Sequence, residues 1–376
     1  MAGGVGERFW PLSAPDRPKQ LLEVFQGRTL LRETFDRAVA IVRDPARVLL
    51  VTQARMVAAA RNELPELDAD QILSEPLGRN TAPAVLYAVH EAAHRHGEDV
   101  VLVALPADNL ISDMPLFQGC IENAVNAAVN HGVLALVGFV PEYAEPGFGY
   151  IVTEPATRQG EGQSANTITS TGTSRGGFPV ARFVEKPDRH EAERLVASGR
   201  AYWNAGIFVA TVRTFRDQYA MYAPDIAESL GPLATLQGRT ERNAHVTRCY
   251  PSLPVRSIDV AIAEQSHQMW VFPYTGPWHD VGSYESWYQL LLLRQTAPDK
   301  DGSKNVWRVS LGAEPVALAA HGNLVVCEGV KNVALLGVED LVIVDTGDTL
   351  LVARRDQAQA VRQVAQHFAS GGGRTP

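Results

Sequence analysis

The amino-terminal segment has the residue types of a phosphate-binding loop. Gly3, Gly4 and Gly6 carry no Cβ, so the backbone N–H groups around them can approach a bound oxyanion closely. Arg8 and Lys19 add full positive charge to the same segment. No Lys-Ser or Lys-Thr pair follows the glycines, and no acidic residue ends a second strand about twenty positions on, which excludes a P-loop and a dinucleotide fingerprint. We therefore predict that this segment binds phosphate. The alternative is a flexible amino-terminal turn.

Other polar residues follow apolar runs that we interpret as strands. Asp108 lies three residues after the run at residues 100–105, at a strand end where an aspartate is a usual metal or ribose ligand, although a simple turn residue is the alternative. The Glu185–Lys186 pair ends another run, and such neighbours are most often a solvated ion pair. Asn80 and Thr81 precede a helical pattern, and either residue is typical of a helix N-cap.

The elements that must position these residues alternate along the first part of the chain. Apolar runs of strand length alternate with segments that have apolar residues at helical spacing. The predicted strands include residues 48–51, 71–73, 100–105 and 133–140, and the predicted helices include residues 29–42, 55–64, 82–96 and 116–130. This pattern predicts an α/β fold with a Rossmann-like, mostly parallel sheet covered on both faces. Ligands of such sheets bind beyond the carboxyl ends of the strands.

The composition of the chain indicates which kinds of partner it is expected to lack. The chain has 376 residues and a formal net charge of −8 without a basic stripe, so we expect no nucleic-acid partner. Its three cysteines are far apart and lack CxxC spacing, which argues against a disulfide framework or a structural zinc. No apolar run reaches membrane-spanning length and no signal peptide is evident, so we expect no membrane partner and a cytoplasmic location.

The motifs at these positions resemble those of the sugar-1-phosphate nucleotidylyltransferases. The matching segments, in chain order, are GGVGERFWPLSAPDRPKQ, EPLGRNTAP, PADN, GFGYI, FVEKP, WNAGIF and WHDVGS. The forms PLSAPDRPKQ and EPLGRNTAP are most similar to those of the mannose-1-phosphate guanylyltransferases. The resemblance covers essentially the whole chain, with one departure within a motif, since Asn109 stands where the family usually has histidine.

The resemblance implies roles in phosphate and metal binding. Arg8 and the glycine loop would bind the triphosphate, Lys19 the α-phosphoryl group and the departing pyrophosphate, and Lys186 the attacking sugar phosphate. Asp108 and Asp280 would hold Mg²⁺ as the cofactor, because two carboxylates supply hard oxygen ligands and leave positions for triphosphate oxygens.

The resemblance also implies binding sites for the base and the sugar. Glu75 and Asn80 lie in the segment that matches the base-binding loop, and a carboxylate can accept hydrogen bonds from both the N1–H and the N2 amino group of guanine. The residues that would contact the sugar or ribose are Gly149, Glu185, Asn204 and Gly206.

The last part of the chain has a different pattern. Short apolar runs separated by Gly, Asn and Asp predict a small β element, and a helical pattern at residues 357–368 predicts a closing helix. The segment GVEDLVIVDTGDTLLVA resembles the partial left-handed β-helix at the end of the family fold. We predict a catalytic domain at residues 1–296 and a β-helix-like domain at residues 297–376, and we read the polar segment 159–177 as a mobile excursion. Packing or self-association is the expected role of the second domain, and a homodimer is compatible with it.

These inferences predict that the chain transfers GMP from GTP to mannose 1-phosphate. One alternative is a related transferase for another base and sugar, such as a thymidylyl- or uridylyltransferase for glucose 1-phosphate. The other is a non-catalytic subunit that binds nucleotide sugars. In the family an apolar strand precedes the glycines, whereas this sequence begins at the loop, so we expect several apolar residues upstream of Met1.

Overall fold

The computed structural model describes residues 1–3, 6–14, 17–25, 27–154, 176–293, 302–310, 314–329 and 332–369. Gly4, nearly all of the segment 159–177 and the predicted domain boundary at residues 296–297 lie outside these residues, so those predictions stay predictions. The chain forms two compact units. The first unit contains Met1–Gly3, Thr34–Ala107 and Ile111–Trp278, and the second contains Gly4–Glu33, Asp108–Leu110 and His279–Pro376.

Helices and strands account for most of the described chain. The helices are α1 (Leu30–Val42), α2 (Val57–Glu63), α3 (Thr81–His96), α4 (Met114–His131), α5 (Arg189–Ala197), α6 (Val212–Tyr222), α7 (Pro224–Leu230), α8 (Arg239–Cys249), α9 (Tyr284–Leu293) and α10 (Val361–Ala369). The strands are β1 (Glu23–Phe25), β2 (Arg28–Thr29), β3 (Leu50–Gln53), β4 (Ile72–Glu75), β5 (Val101–Ala104), β6 (Asn109–Ile111), β7 (Leu134–Phe139), β8 (Gly149–Thr153), β9 (Phe178–Val184), β10 (Ala201–Thr211), β11 (Met269–Tyr274), β12 (Trp278–Asp280), β13 (Val306–Val309), β14 (Pro315–Leu318), β15 (Leu324–Cys327), β16 (Val333–Leu336), β17 (Leu341–Asp345) and β18 (Leu350–Arg354). Among the described residues, no helix is both long and apolar enough to cross a membrane.

The first unit is built on a six-stranded sheet with the order β5-β10-β7-β11-β9-β8. Alternate residues of β7 enter different cores: Leu134 and Leu136 pack with helix α3, while Ala135 and Val137 pack with helix α4. Both faces of the sheet are therefore covered by helices, as the sequence predicts.

The sheet differs from the prediction in the direction of its strands. Strand β11 is parallel to β7, but β10 is antiparallel to β5, β7 and β8, and β9 is antiparallel to β8 and β11. The α/β class is confirmed, whereas the mostly parallel arrangement is wrong for this sheet. An apolar run predicts burial on both faces but carries no information about direction, and the regular strand–helix alternation ends at β7.

Strands β3 and β4 form a separate parallel pair in the first unit. The N–H of Ala2 donates to Val51 O at 3.0 Å, and Ala2 forms a parallel bridge with Thr52. The amino group of Met1 donates to Leu105 O at 2.9 Å. These bonds hold the first residues beside the ends of β3 and β5, so the glycine segment begins at a strand end.

The second unit contains the predicted β element. Strands β13, β15 and β17 are parallel neighbours, β18 is antiparallel to β17, and β14 pairs in parallel with β16. The fully buried Asn323 donates to Asn305 Oδ1 at 2.9 Å and accepts from the N–H of Leu341 at 2.9 Å. An asparagine ladder of this kind satisfies buried backbone groups at the turns between successive strands. The terminal helix is confirmed as α10.

Candidate active site

In the second unit, Gly6 shapes the loop that carries Lys19. Gly6 has a φ of +74°, a conformation that costs little only for glycine, and a Cβ at this position would lie 2.4 Å from Lys19 Cβ. Its carbonyl accepts hydrogen bonds from the N–H of Phe9 at 2.8 Å and from Ser13 Oγ at 2.7 Å. The glycine therefore allows the loop to pack directly against the lysine.

Lys19 is the centre of a cluster of charged groups in the second unit. Its side chain is only 8% exposed, and its Nζ lies 3.4 Å from Asp108 Oδ2 and 3.6 Å from Asp280 Oδ1. Asp108 comes between β5 and β6, and Asp280 is the last residue of β12. Burial of the Asp280 carboxyl group raises its pKa, and the neighbouring Asp108 raises it further, while Lys19 and Arg8 oppose the shift. The structure thus brings together three residues that the sequence predicts for phosphate and metal chemistry.

This cluster fits a divalent cation. The formal charges of Lys19, Asp108 and Asp280 sum to −1, and Arg8 is a second cation close enough to act on Asp280. No group of three or more His, Cys, Asp or Glu side chains able to hold a metal occurs in the described parts of the chain. Two carboxylates combined with substrate oxygens and water are what Mg²⁺ commonly uses, since it retains much of its hydration and binds few protein ligands.

Arg8 lies beside the loop that follows Asp280. Its Nη1 is 3.5 Å from Gly282 O, a long contact, and most of the donors of the guanidinium group have no partner among the described residues. A Cβ on Gly282 would lie 2.6 Å from Asp280 Oδ2, so a side chain at position 282 would collide with this carboxylate.

In the first unit, Glu75 ends strand β4 and is almost completely buried. It is 3% exposed, and its Oε1 atom has no hydrogen-bond partner among the described residues. Burial raises the pKa of Glu75 to about 7, although the nearby Tyr250 hydroxyl and the amino terminus lower it somewhat. A Cβ on Gly3 would lie 3.5 Å from Glu75 Oε2, which places the glycine beside this carboxyl group.

Asn80 and Arg79 have structural contacts. Asn80 is exposed, and its Oδ1 accepts from the N–H of Thr81 at 2.8 Å, which confirms the N-cap of helix α3. Arg79 donates to the carbonyl groups of Tyr250, at 3.1 Å, and Pro251. These bonds anchor the loop after Glu75, and the base-binding role of Asn80 stays a prediction.

A second cluster in the first unit contains the residues expected to bind the sugar. Gly149 and Asn204 are register partners of β8 and β10, and a Cβ on Gly149 would lie 2.6 Å from Glu185 Oε2. Asn204 Nδ2 donates to Asp259 Oδ1 at 2.6 Å, and Asn204 Oδ1 accepts from the N–H of Gly206 at 3.0 Å. The cluster therefore presents carboxylate and amide groups, which suit sugar hydroxyls.

Lys186 adds a largely exposed cation to this cluster. Lys186 forms an ion pair with Glu185, and its side chain is 61% exposed. It is therefore available to a soluble anion. Gly206 has a φ of +72°, so the bend that aims its N–H at Asn204 favours glycine.

Asp259 also belongs to this cluster, although the residue patterns of the sequence did not identify it as a site residue. The residue begins a π-helix at Asp259–Ala263, and π-helical turns are frequent at functional sites. Burial raises the pKa of Asp259, with a further contribution from Glu185. The spacing of the sequence contained no signal for its contact with Asn204, which joins positions 55 residues apart.

Substitution of Gly6 by alanine is expected to destabilise the protein by about 2 kcal/mol, because alanine pays for the left-handed conformation and collides with Lys19. Urea unfolding would measure the loss. Gly27 is the matched control, since it also has a positive φ, +73°, but a Cβ there would meet nothing within 4 Å. Equal losses for the two alanine variants would show that the contact with Lys19 has no energetic effect.

Substitution of Glu75 by glutamine is expected to stabilise the ligand-free protein at pH 8 but not near pH 4.5. The folded state holds the Glu75 proton up to about pH 7, whereas the ordinary value is 4.5. The free energy of unfolding of the wild type therefore falls as pH rises through this window, by up to about 3 kcal/mol. Urea unfolding at both pH values would measure the difference, with the exposed Glu241→Gln as control. A pH-independent difference between wild type and variant would contradict the shift.

Comparison with protein-family models matches residues 1–295 to the family described as nucleotidyl transferase. Residues 313–368 match the family described as MannoseP isomerase/GMP-like beta-helix domain. The first match covers most of the chain, including every residue of the two clusters.

Relatives resemble the chain along nearly all of its length. Mannose-1-phosphate guanylyltransferase from Escherichia coli is 33% identical over 368 residues, which cover 97% of this chain and 72% of that protein. Xanthan biosynthesis protein XanB from Xanthomonas campestris pv. campestris is 32% identical over 383 residues, with 99% and 73% covered. Among solved structures, that of a protein named mannose-1-phosphate geranyltransferase from Thermus thermophilus is 32% identical, with a TM-score of 0.80 and 98% of both chains covered.

Proposed function

The chain belongs to the nucleotidyl transferase family, and from this premise we propose that it is a mannose-1-phosphate guanylyltransferase. The reaction transfers GMP from GTP to α-D-mannose 1-phosphate and yields GDP-mannose and pyrophosphate. The observation that carries the proposal is the approach of Asp108 and Asp280 to the buried ammonium group of Lys19. It occurs in a chain that matches a guanylyltransferase over 97% of its length.

The chemistry needs no catalytic base on the protein. A sugar 1-phosphate is largely dianionic at pH 7, because its second pKa is about 6. One of its oxygens attacks the α-phosphorus of GTP, a new P–O bond forms, and the bond from the α-phosphorus to the bridging oxygen breaks as pyrophosphate leaves. The protein must align two polyanions and balance their charge.

The second unit supplies the groups for the triphosphate. Lys19 is buried, so its positive charge is poorly screened and acts strongly on the α-phosphoryl group and on the departing pyrophosphate. Arg8, most of whose donors have no partner in the described part of the chain, is assigned to the outer phosphates. Members of this family use a divalent metal, and Asp108 with Asp280 would hold Mg²⁺, which supplies additional positive charge beside the phosphate oxygens.

The first unit supplies the groups for the sugar and the base. Lys186 is assigned to the attacking phosphate, and Glu185 and Asn204 to the sugar hydroxyls. Asp259 is a positioning residue, because its bond to Asn204 Nδ2 fixes which end of the amide faces the ligand. Glu75, whose buried Oε1 has no hydrogen-bond partner within the described residues, is assigned to the N1–H and N2 amino group of guanine.

Further proposals concern organisation and location. We retain the division into a catalytic domain at residues 1–296 and a β-helix-like domain at 297–376, which the two family matches support. The exposed apolar side chains of Val316, Leu318 and Leu336 offer a surface for self-association, which supports a homodimer. A cytoplasmic location agrees with cysteines that form no disulfide within the described residues.

The experiment that tests the function is pyrophosphate release with Mg²⁺ from GTP, dTTP, UTP or ATP, each with mannose 1-phosphate or glucose 1-phosphate. We expect the highest kcat/KM with GTP and mannose 1-phosphate. Omitting the sugar phosphate is the control, because release without it would be hydrolysis. Preference for another pair would replace the assigned substrates, and no release from any pair would leave the chain as a non-catalytic binding protein.

A further inference from the structure

We propose that Gln53 is a specificity-determining residue whose side-chain amide donates a hydrogen bond to O6 of the guanine bound by Glu75. The inference rests on the proposed function and deepens it. The Glu75 carboxylate can pair only with the two donors of guanine, and the Gln53 amide would pair with its acceptor O6.

The position of Gln53 follows from the parallel pair of strands β3 and β4. Gln53 and Glu75 are register partners and are the last residues of their strands. Register partners in a parallel pair project from the same face, about 4.8 Å apart. The amide and the carboxylate therefore lie side by side where a ligand of this fold class binds.

A hydrogen bond determines the orientation of the amide. Gln53 Nε2 donates to Gly3 O at 2.6 Å, and since a carbonyl oxygen can only accept, the nitrogen must face Gly3. An amide nitrogen has two hydrogens, and the second has no partner among the described residues. A Cβ on Gly78 would lie 2.7 Å from Nε2, so the absence of a side chain at Gly78 leaves room for this nitrogen.

The resulting edge is complementary to guanine. Guanine presents an acceptor, O6, next to two donors, N1–H and the N2 amino group. Glu75 can accept from both donors, and its buried Oε1 has no partner among the described residues. The second N–H of Gln53, which has no partner among the described residues, supplies the missing donor for O6. Adenine presents a donor amino group where guanine has O6, so the same amide disfavours adenine.

The test measures kcat/KM for GTP, ITP and 6-thio-GTP. ITP lacks the N2 amino group that faces Glu75, and 6-thio-GTP replaces O6 by sulfur, a weaker acceptor. We expect the wild type to prefer GTP to 6-thio-GTP about tenfold, the size of one good hydrogen bond. Gln53→Met should reduce this preference to less than twofold and leave the preference for GTP over ITP unchanged.

A second variant does not remove the glutamine. Gly78→Ala places a methyl group against Nε2, so it should displace the amide and also reduce the preference for GTP over 6-thio-GTP. The matched control is Gln118→Met, because Gln118 Nε2 also donates to a backbone carbonyl, Ala40 O, at 2.7 Å, but lies on helix α4. This control should keep both preferences.

Two results would overturn the proposal. In one, the wild type uses GTP and 6-thio-GTP equally well, a measurement that needs no variant. In the other, Gln53→Met keeps the wild-type preference. Failure of the proposed function would look different, since the wild type would then release no pyrophosphate with any of the three nucleotides.

Discussion

Replacing Lys19 by methionine is expected to lower the rate of pyrophosphate release at least about 10³-fold, while Mg²⁺ binds the variant at least as tightly as the wild type. Methionine has a similar length but lacks the ammonium group that lies 3.4 Å from Asp108 and 3.6 Å from Asp280. Removing that charge leaves the two carboxylates more attractive to a cation, yet it also removes the charge that balances the phosphates. Initial rates and calorimetry with Mg²⁺ alone would measure both effects.

The control for Lys19 is Lys304→Met, which makes the same change in net charge at an exposed position of the second unit. It should keep the wild-type rate. Lys19→Arg should recover only part of the activity, because the planar guanidinium group does not replace a compact ammonium group in a buried position. A Lys19→Met rate within tenfold of the wild type would contradict the assigned role.

Replacing Asp280 by asparagine is expected to produce a similar loss of activity, about 10³-fold or more, with the opposite response to metal. Because burial and Asp108 raise the pKa of Asp280, the ionised carboxylate destabilises the metal-free fold at pH values above its ordinary pKa. The amide should therefore raise the melting temperature in chelator at pH 8. Mg²⁺ should stabilise the wild type, by about 2.7 kcal/mol at a concentration 100 times its Kd, but not the variant.

Thermal unfolding with and without Mg²⁺ would measure these shifts for Asp280→Asn. The control is Asp348→Asn in the exposed turn between β17 and β18, which should respond to Mg²⁺ like the wild type. If Mg²⁺ raised the melting temperature of Asp280→Asn as much as that of the wild type, Asp280 would not be a metal ligand. Lys19→Met and Asp280→Asn thus separate loss of phosphate binding from loss of metal binding.

Local patterns in the sequence were sufficient for much of the fold. Helical spacing predicted helix α3, and Asn80 caps it as expected from its side-chain acceptor. The apolar runs predicted strands β3, β4, β5 and β7 to within a few residues, because burial on both faces of a sheet requires such runs. The direction of β10 was not predictable, since its three neighbours are contributed by segments distant in the chain.

The sequence by itself determined the chemistry available to this protein. Lys19 and Asp108 could be identified from their types and from their positions in a glycine-rich segment and after a predicted strand, because phosphate and Mg²⁺ require cations and hard oxygen ligands. Asp280 was identified from the resemblance of the WHDVGS segment to the family motif. Only the tertiary structure decided which groups meet and in what environment: Asp259 beside Asn204, and Gln53 beside Glu75. The raised pKa of Glu75, about 7, likewise depends on the tertiary structure. Contacts between distant segments and the loss of water around a carboxyl group depend on how the chain packs, and no local pattern of residues records either.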